Sequence, residues 1–199
     1  QCENTSAYGT ATAPTAGSVD ISTCNYLSEY STINSVAANT GYSCDVVING
    51  ASTGYVTIRE GASNGAVVAH GPAPLDWVSN AAGTYYAHWT VNALCVTATG
   101  CHTTSITYVG VGCTNTSAYG TATAPTTGSV DISTCNYLSE YSTLNGVVGA
   151  TTYTLNITNA GTTTGYITVR SGSASGTLVA LGNAPLTFTA PASGTYYCH

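Results

Sequence analysis

The feature that most constrains this chain is an internal repeat with an offset of 111 residues. The offset holds without a gap up to His88, which aligns with His199, and 53 of the 88 aligned positions are identical. Residues 4–32 and 115–143 differ only where Ala16 becomes Thr127. The repeat predicts two domains, residues 1–111 and 112–199, each large enough to bury a core of its own. The second domain lacks the counterpart of residues 89–112.

The local pattern within each repeat predicts strands throughout. Runs rich in Thr, Val, Ile and Tyr are separated by Gly, Asn, Pro and Ser, with turn signals about every eight to twelve residues. No window shows the 3.6-residue period of an amphipathic helix. We therefore expect an all-β chain made of two tandem antiparallel β-sandwich repeats, Ig-like or jelly-roll-like, with a 111-residue period.

The charge balance argues against two classes of partner. Charged residues make up only 5% of the chain and the net charge is −6, whereas nucleic acids and anionic membranes are bound through Lys and Arg patches. No apolar run is long enough to span a bilayer, so no membrane insertion is expected. The sequence has no nucleophile-elbow, P-loop or HExxH motif. We expect no enzyme activity, no catalytic residue, no metal site and no cofactor.

Eight cysteines indicate a disulfide framework formed in an oxidising compartment, hence an extracellular or cell-surface protein. Two of them recur at the repeat offset, and two more bracket a short loop. Connectivity does not follow from sequence alone. The expected bridges are Cys2–Cys24, Cys113–Cys135 and Cys95–Cys101.

The two remaining cysteines are Cys44 and Cys198, which have no cysteine counterpart in the other repeat. They lie in different repeats, so a rod-like chain would hold them farther apart than the ~7 Å Cα limit for a bridge. If they are oxidised together, we expect the bond to run between chains.

The two arginines are the only Lys or Arg side chains, one in each repeat. A lone, partly buried guanidinium needs an acidic partner, and only two carboxylates recur in both repeats. Arg59 is therefore expected to pair with Asp20 or Glu29, and Arg170 with Asp131 or Glu140.

The second half of each repeat carries a recognisable pattern. Residues 61–110 and 172–199 share Pro-Leu, a Trp or Phe two residues later, and Gly-Thr-Tyr-Tyr; the first copy continues into C-x5-C-x-T-T. This pattern resembles the Ig-like and pre-peptidase C-terminal-like β-sandwich repeats of large surface proteins of the phylum Bacteroidota. Those proteins are typically exported by the type IX secretion system. The resemblance implies a spacer, an adhesive repeat or an enzyme accessory domain, and it carries over no catalytic residue.

Three functions follow as hypotheses. The first is a structural subunit of an extracellular filament or rod, a homopolymer built head-to-tail. The alternatives are a glycan- or protein-binding adhesion module using exposed Tyr with Trp77 or Trp89, and an accessory domain of a secreted enzyme. For the first, we expect an unpaired sheet edge beside Thr195–His199 that receives residues 1–15 of the next subunit.

Overall fold

The structure is a computed structural model that describes residues 1–159 and 161–199, and every regular element in those residues is a strand. The all-β prediction is confirmed. None of the described residues belongs to a helix that could cross a membrane. The chain divides into two compact units, Gln1–Val111 and Gly112–His199.

The first unit contains two five-stranded sheets. The strands are β1 (Ser6–Thr12), β2 (Ser18–Asn25), β3 (Glu29–Val36), β4 (Gly41–Ile48), β5 (Ala51–Ser52), β6 (Tyr55–Glu60), β7 (Ala66–Pro72), β8 (Leu75–Val78), β9 (Gly83–Thr90) and β10 (His102–Gly110). One sheet has the order β1-β3-β9-β6-β7, and the other has β2-β10-β4-β5 with β8 also paired to β4.

The sequence predicts purely antiparallel sheets, and this prediction is wrong for one strand pair. β1 pairs with β3 in parallel, whereas every other strand pair in this unit is antiparallel. The reason is the path of the chain: between β1 and β3 it crosses to the other sheet as β2 and returns, so it enters the first sheet twice in the same direction.

The core of the first unit combines side chains from both sheets in one cluster. Ile33, Ile58 and Trp89 come from the first sheet, and Val46 and Ile106 from the second, each fully buried. Because a residue of β10 is among them, this strand helps to close the core.

The two tryptophans are part of that core, which corrects one expectation. Trp77 is 4% exposed and Trp89 is 0% exposed. The Trp77 ring lies 5.1 Å from the ring of Tyr85, centre to centre. Neither indole is available as a platform on which a sugar could stack.

The second unit keeps one five-stranded sheet, in the order β11-β12-β19-β16-β17. Its other strands form two two-stranded sheets, β13-β18 and β14-β15. The strands are β11 (Ser117–Thr123), β12 (Glu140–Val147), β13 (Thr152–Leu155), β14 (Thr158–Asn159), β15 (Thr162–Thr163), β16 (Tyr166–Ser171), β17 (Thr177–Asn183), β18 (Leu186–Thr189) and β19 (Gly194–Cys198).

The disulfides differ from the pairing expected from sequence. Cys2 is bonded to Cys95 and Cys24 to Cys101, with Cα–Cα distances of 5.3 and 3.9 Å. The predicted bridges Cys2–Cys24 and Cys95–Cys101 are therefore wrong. The physical reason is that the segment between β9 and β10 carries both Cys95 and Cys101, and it meets the N-terminal segment at Cys2 and the end of β2 at Cys24.

The remaining cysteines carry free thiols, so the predicted Cys113–Cys135 bridge is also wrong. Cys44 is fully buried in β4, where burial raises the pKa of its thiol to about 12. Such a thiol cannot reach a second chain unless the unit unfolds, which argues against its predicted inter-chain role. Cys198 is partly buried, and burial raises its pKa to about 12 as well.

Replacing a bonded cysteine should weaken the first unit, whereas its free counterpart should tolerate the same change. We expect Cys24→Ser to lower the free energy of unfolding by roughly 2–5 kcal/mol, because the unfolded chain is no longer cross-linked. Cys135→Ser is the matched control and should change it by less than about 0.5 kcal/mol. Urea unfolding followed by tryptophan fluorescence, with heat-capacity scans of the whole chain, measures both. Equal losses in the two variants would contradict the observed pairing.

Candidate functional site: an open groove in the second unit

The second unit has a groove where the first unit has a strand. In the first unit β10 lies between β2 and β4. In the second unit residues 129–136, the counterpart of β2, form no strand, and β13 covers only the first half of the β4 counterpart. Between these segments lies a groove of about 460 Å³. This open groove is lined by residues 125–130, Ile132, Leu144 and residues 151–155.

The open groove does not lie at the sheet edge that was predicted beside Thr195–His199. β19, which contains Thr195, lies between β12 and β16 in the middle of its sheet and is not an edge. The expected donor is also occupied, because β1 pairs with β3 and β11 with β12, each inside its own unit. The prediction of an unpaired edge beside Thr195–His199 is therefore wrong.

The side chains around the open groove show what β10 covers in the first unit. Leu27 is 1% exposed, whereas the identical residue Leu138 is 69% exposed. Asn25 is fully buried, whereas Asn136 is exposed. Since residues 17–32 and 128–143 have the same sequence, the difference in burial comes from the surroundings rather than from the residues.

The contacts made by Asn25 explain this burial. Thr104 of β10 donates its hydroxyl to Asn25 Oδ1 at 2.7 Å, and the Leu27 amide donates to the Ala98 carbonyl at 2.9 Å. Asn25 Nδ2 donates to the carbonyl of Tyr8 at 2.9 Å. In the second unit the last contact is kept, because Asn136 Nδ2 donates to the Tyr119 carbonyl at 3.0 Å. Asn136 Nδ2 also donates to Ser142 Oγ at 3.1 Å, whereas in the first unit the corresponding serine, Ser31, donates to Asn25 Oδ1 at 3.2 Å.

The two free cysteines at the repeat positions keep backbone contacts that match those of their bonded counterparts. The amide of Cys135 donates to Ser133 Oγ at 3.1 Å, as that of Cys24 donates to Ser22 Oγ at 3.0 Å. Both Cys113 and Cys135 are exposed.

The backbone of Cys113 is held by the same contact as that of Cys2. The Cys113 amide donates to Thr168 Oγ1 at 2.9 Å, and the Cys2 amide donates to Thr57 Oγ1 at 3.0 Å. Arg170 Nε also donates to the Cys113 carbonyl at 3.3 Å. The N-terminal segment of the second unit is therefore held to β16 through the backbone of Cys113.

A histidine fixes the next residues of the same segment. Asn4 donates its backbone N–H to His88 Nδ1 at 2.9 Å, and Asn115 donates to His199 Nδ1 at 2.9 Å. His88 is fully buried, and burial lowers its pKa to about 4; burial lowers the pKa of His199 as well. A neutral imidazole is required, because a protonated Nδ1 could not accept this hydrogen bond.

The predicted ion pairs are not formed as expected. Arg59 Nη2 lies 3.3 Å from Glu3 Oε2, and Arg59 Nη1 donates to the Gly65 carbonyl at 2.8 Å. Asp20 is exposed on β2 in the other sheet, out of reach of Arg59. Glu29 instead accepts the Tyr26 amide at 2.7 Å within its own turn.

The second unit departs from the prediction in the same way. Arg170 Nη1 donates to the Gly176 carbonyl at 3.0 Å. Glu140 accepts the Tyr137 amide at 2.8 Å, and Asp131 is exposed. The recurring carboxylates therefore shape turns or face solvent. Across the described residues no three His, Cys, Asp or Glu side chains converge as a metal site would require.

The comparisons with known proteins add little. No family model matches the chain, and no curated protein matches it. Among solved structures, it is similar to that of Aeromonas hydrophila PliG, a periplasmic lysozyme inhibitor of g-type lysozyme. That similarity covers 51% of this chain and 96% of that chain, at 12% identity and a TM-score of 0.38. It is too distant to carry an argument. The two disulfides by themselves indicate a protein that folds outside the cytoplasm.

Acidification should destabilise the first unit through His88. The unfolded chain takes up a proton below the ordinary histidine pKa of 6.5, whereas folded His88 stays neutral down to about 4. Its contribution is complete above pH 6.5 and is lost as the pH falls toward 4, about 3 kcal/mol in all. Urea unfolding followed by tryptophan fluorescence at pH 7 and 4 measures the loss. His88→Gln should flatten this dependence, and an unchanged pH slope in that variant would contradict the assignment.

The identical leucines Leu27 and Leu138 offer a matched test of the open groove. Leu27→Ala should cost about 2–5 kcal/mol, because it leaves a cavity in a closed core. Leu138→Ala should change stability by less than about 0.5 kcal/mol, because the side chain is exposed. Tryptophan fluorescence reports the first variant, since both tryptophans lie in the first unit, and calorimetry reports the second. A large loss in Leu138→Ala would show that the open groove is closed in solution.

Proposed function

We propose that the chain is a structural segment of an extracellular rod or filament, built from tandem β-sandwich repeats that join head-to-tail. The observation that supports this proposal is the internal repeat, which folds into two compact units, together with the apolar surface that the second unit exposes. In the first unit the same residues are covered by β10 and the loop before it. In the second unit the same residues are exposed.

Burying the exposed apolar side chains would contribute enough free energy to stabilise an interface. Tyr137 and Leu138 are 71% and 69% exposed, and Val130 is 45% exposed. Burying one leucine side chain contributes about 1.5–3 kcal/mol. Exposed apolar groups beside unpaired backbone are typical of surfaces that recruit strands from a neighbour. A contact of this kind is heterologous, so it can repeat without closing and produce a linear assembly.

The low charge and the disulfides agree with a structural role outside the cell. We also propose that the units belong with the secreted Bacteroidota surface repeats they resemble, and that they stand at the cell surface. The neighbour is a further repeat of the same kind, and the assembly is a homopolymer of such repeats. The N-terminal segment does not act as the donor, because β1 and β11 are already paired.

Imaging and sedimentation of the full chain test this proposal. We expect linear oligomers that lengthen with concentration, seen by negative-stain electron microscopy and analytical ultracentrifugation. Leu138→Asp should shorten them by placing a charge on the docking surface. Val148→Asp is the control, because Val148 is 49% exposed and its counterpart Ala37 is exposed in the first unit as well, so it lies outside the surface that β10 and its loop cover. The proposal would be overturned by a chain that stays monomeric at every concentration, or by oligomers whose length is unchanged in Leu138→Asp.

A further inference from the structure

We propose that one sheet face in each unit binds an uncharged, β-linked polysaccharide. The face lies on the outer side of the five-stranded sheet that begins with β1 or β11, where two tyrosine rings are set among threonine hydroxyls. We call it the tyrosine–threonine face. It consists of Thr10, Thr12, Tyr30, Thr32, Asn34, Thr84 and Tyr86 in the first unit, and of Thr121, Thr123, Tyr141, Thr143, Asn145, Thr195 and Tyr197 in the second. The inference goes beyond the structural role proposed above, because it concerns a ligand and not assembly.

Strand alternation places these side chains on the outer surface. In β3 and β9 the residues between the members of the face are fully buried, at Ser31, Ile33, Tyr85 and Ala87. Because successive side chains of a strand point to opposite sides of the sheet, the members of the face project away from the core. Each of them is exposed or half-buried, alike in both units.

The strand register brings the members into adjacent rows. Thr32 lies between Thr10 of β1 and Tyr86 of β9. In the next row Asn34 lies opposite Thr12 and accepts the Thr84 hydroxyl at 3.4 Å. Neighbouring strands are about 4.8 Å apart, so the three strands make a surface about 10 Å wide. Such a surface offers contacts along an extended ligand, whereas a small molecule needs a concave pocket.

The second unit builds the face with the same geometry. The ring centres of Tyr141 and Tyr197 are 5.9 Å apart, as are those of Tyr30 and Tyr86. Thr195 donates to Asn145 Oδ1 at 3.1 Å, which repeats the contact of the first unit. Since β10 belongs to the other sheet, this face is complete in both units.

The face is kept where other parts of the repeat differ. All seven positions are identical in the two units, although only 53 of the 88 aligned positions are. Asn34 is one of six residues kept among residues 33–53. The outer side of the other sheet differs at three positions, where Ser43, Asp45 and Asp76 become Thr154, Asn156 and Thr187. Core packing does not require particular side chains on an outer surface, so a shared ligand accounts for their retention.

The tyrosine hydroxyls of the face are available to a ligand. Tyr85, which is buried, donates its hydroxyl to the Ala81 carbonyl at 2.9 Å. Within the part of the chain that the structure describes, the tyrosines of the face make no hydrogen bond through theirs. The ring of Tyr30 also packs against His88, 5.3 Å from centre to centre. The rings are therefore ordered before a ligand arrives, and little side-chain entropy is lost on binding.

The chemistry of the face selects an uncharged ligand. No member is charged in either unit. Arg59, opposite Tyr86 in the register, is bound instead to the Gly65 carbonyl and to Glu3. Hydroxyl and amide groups exchange hydrogen bonds with sugar hydroxyls. Aromatic rings pack against the axial C–H groups of a pyranose whose hydroxyls are equatorial. A β-linked chain of such sugars is extended and presents both kinds of group along its length.

Calorimetric titration of the full chain with cellohexaose and with chitohexaose tests the assignment. We expect two hexasaccharides to bind per chain with equal affinity, because the two faces are identical. Hexagalacturonate has the same length but is anionic. It should bind about ten-fold more weakly or not at all, since its carboxylates find no cation on the face. The assignment would be overturned if neither neutral sugar bound at millimolar concentration, or if the anionic one bound as well as they do.

Tyrosine variants locate the site. Tyr86→Ala should leave one site of unchanged affinity per chain, and Tyr86→Ala combined with Tyr197→Ala should weaken both sites by about ten-fold or more. Tyr86→Phe keeps the ring and should retain two sites. Tyr26→Ala is the matched control, because Tyr26 is 39% exposed but lies in the turn between β2 and β3. Two intact sites in the double variant, or a lost site in Tyr26→Ala, would contradict the assignment.

A variant at a fully solvated position excludes unfolding as the cause of lost binding. Thr10 is exposed, so Thr10→Arg should melt as the native chain does. Its long side chain would cover the neighbouring Thr32 and reduce the affinity of one site by about ten-fold. Two sites of native affinity in this variant would count against the face as the binding surface.

The same variants distinguish a polysaccharide from a second copy of the chain. If Tyr86→Ala with Tyr197→Ala shortens oligomers and neither sugar binds, the face is a contact between copies and the assignment is overturned. Leu138→Asp lies outside the face and should bind both sugars as the native chain does. Failure of head-to-tail assembly and failure of sugar binding are therefore seen in different measurements.

Discussion

The pairing of β10 with both β2 and β4 is the interaction on which the second sheet of the first unit depends. Where β10 is present, residues 18–25 form a strand, Leu27 is buried and five strands make the second sheet. Where it is missing, the same residues at 129–136 form no strand, although their sequence is identical. Strand formation here is therefore decided by a long-range partner rather than by local preference, as expected for a structure whose stability comes from cross-strand contacts.

The other sheet does not depend on β10. Its parallel pair, its histidine contact to the N-terminal segment and its central antiparallel strands are present in both units. His88 and His199 each accept one backbone N–H from that segment, so the first residues of each unit are held to the sheet from within. The consequence is a unit that keeps one complete sheet and one cysteine in position even when the second sheet is open.

Much of the fold could be predicted from the sequence, and the errors have one common cause. The absence of helical periodicity and the regular turn signals indicated an all-β chain, and the offset between Cys2 and Cys113 pointed to the missing segment. The disulfide pairing was wrong because partners were sought among cysteines near in sequence, whereas Cys2 and Cys95 are 93 residues apart. The predicted ion pairs were wrong for the same reason. Glu3, the partner of Arg59, is a residue that does not recur. Contacts that join distant segments depend on which sheet each strand enters, and no local pattern encodes that choice.

The two units show which features follow from the local sequence and which depend on the surrounding strands. Leu27 and Leu138 have the same neighbours along the chain, yet one is in a closed core and the other faces solvent. A monomeric surface rarely keeps large apolar side chains exposed beside unpaired backbone. The second unit holds such side chains and two exposed free thiols, Cys113 and Cys135. In the first unit these same groups bind one continuous segment, residues 95–107. Because these groups have the same sequence in both units, it is residues 95–107, and not the groups themselves, that close the core of the first unit.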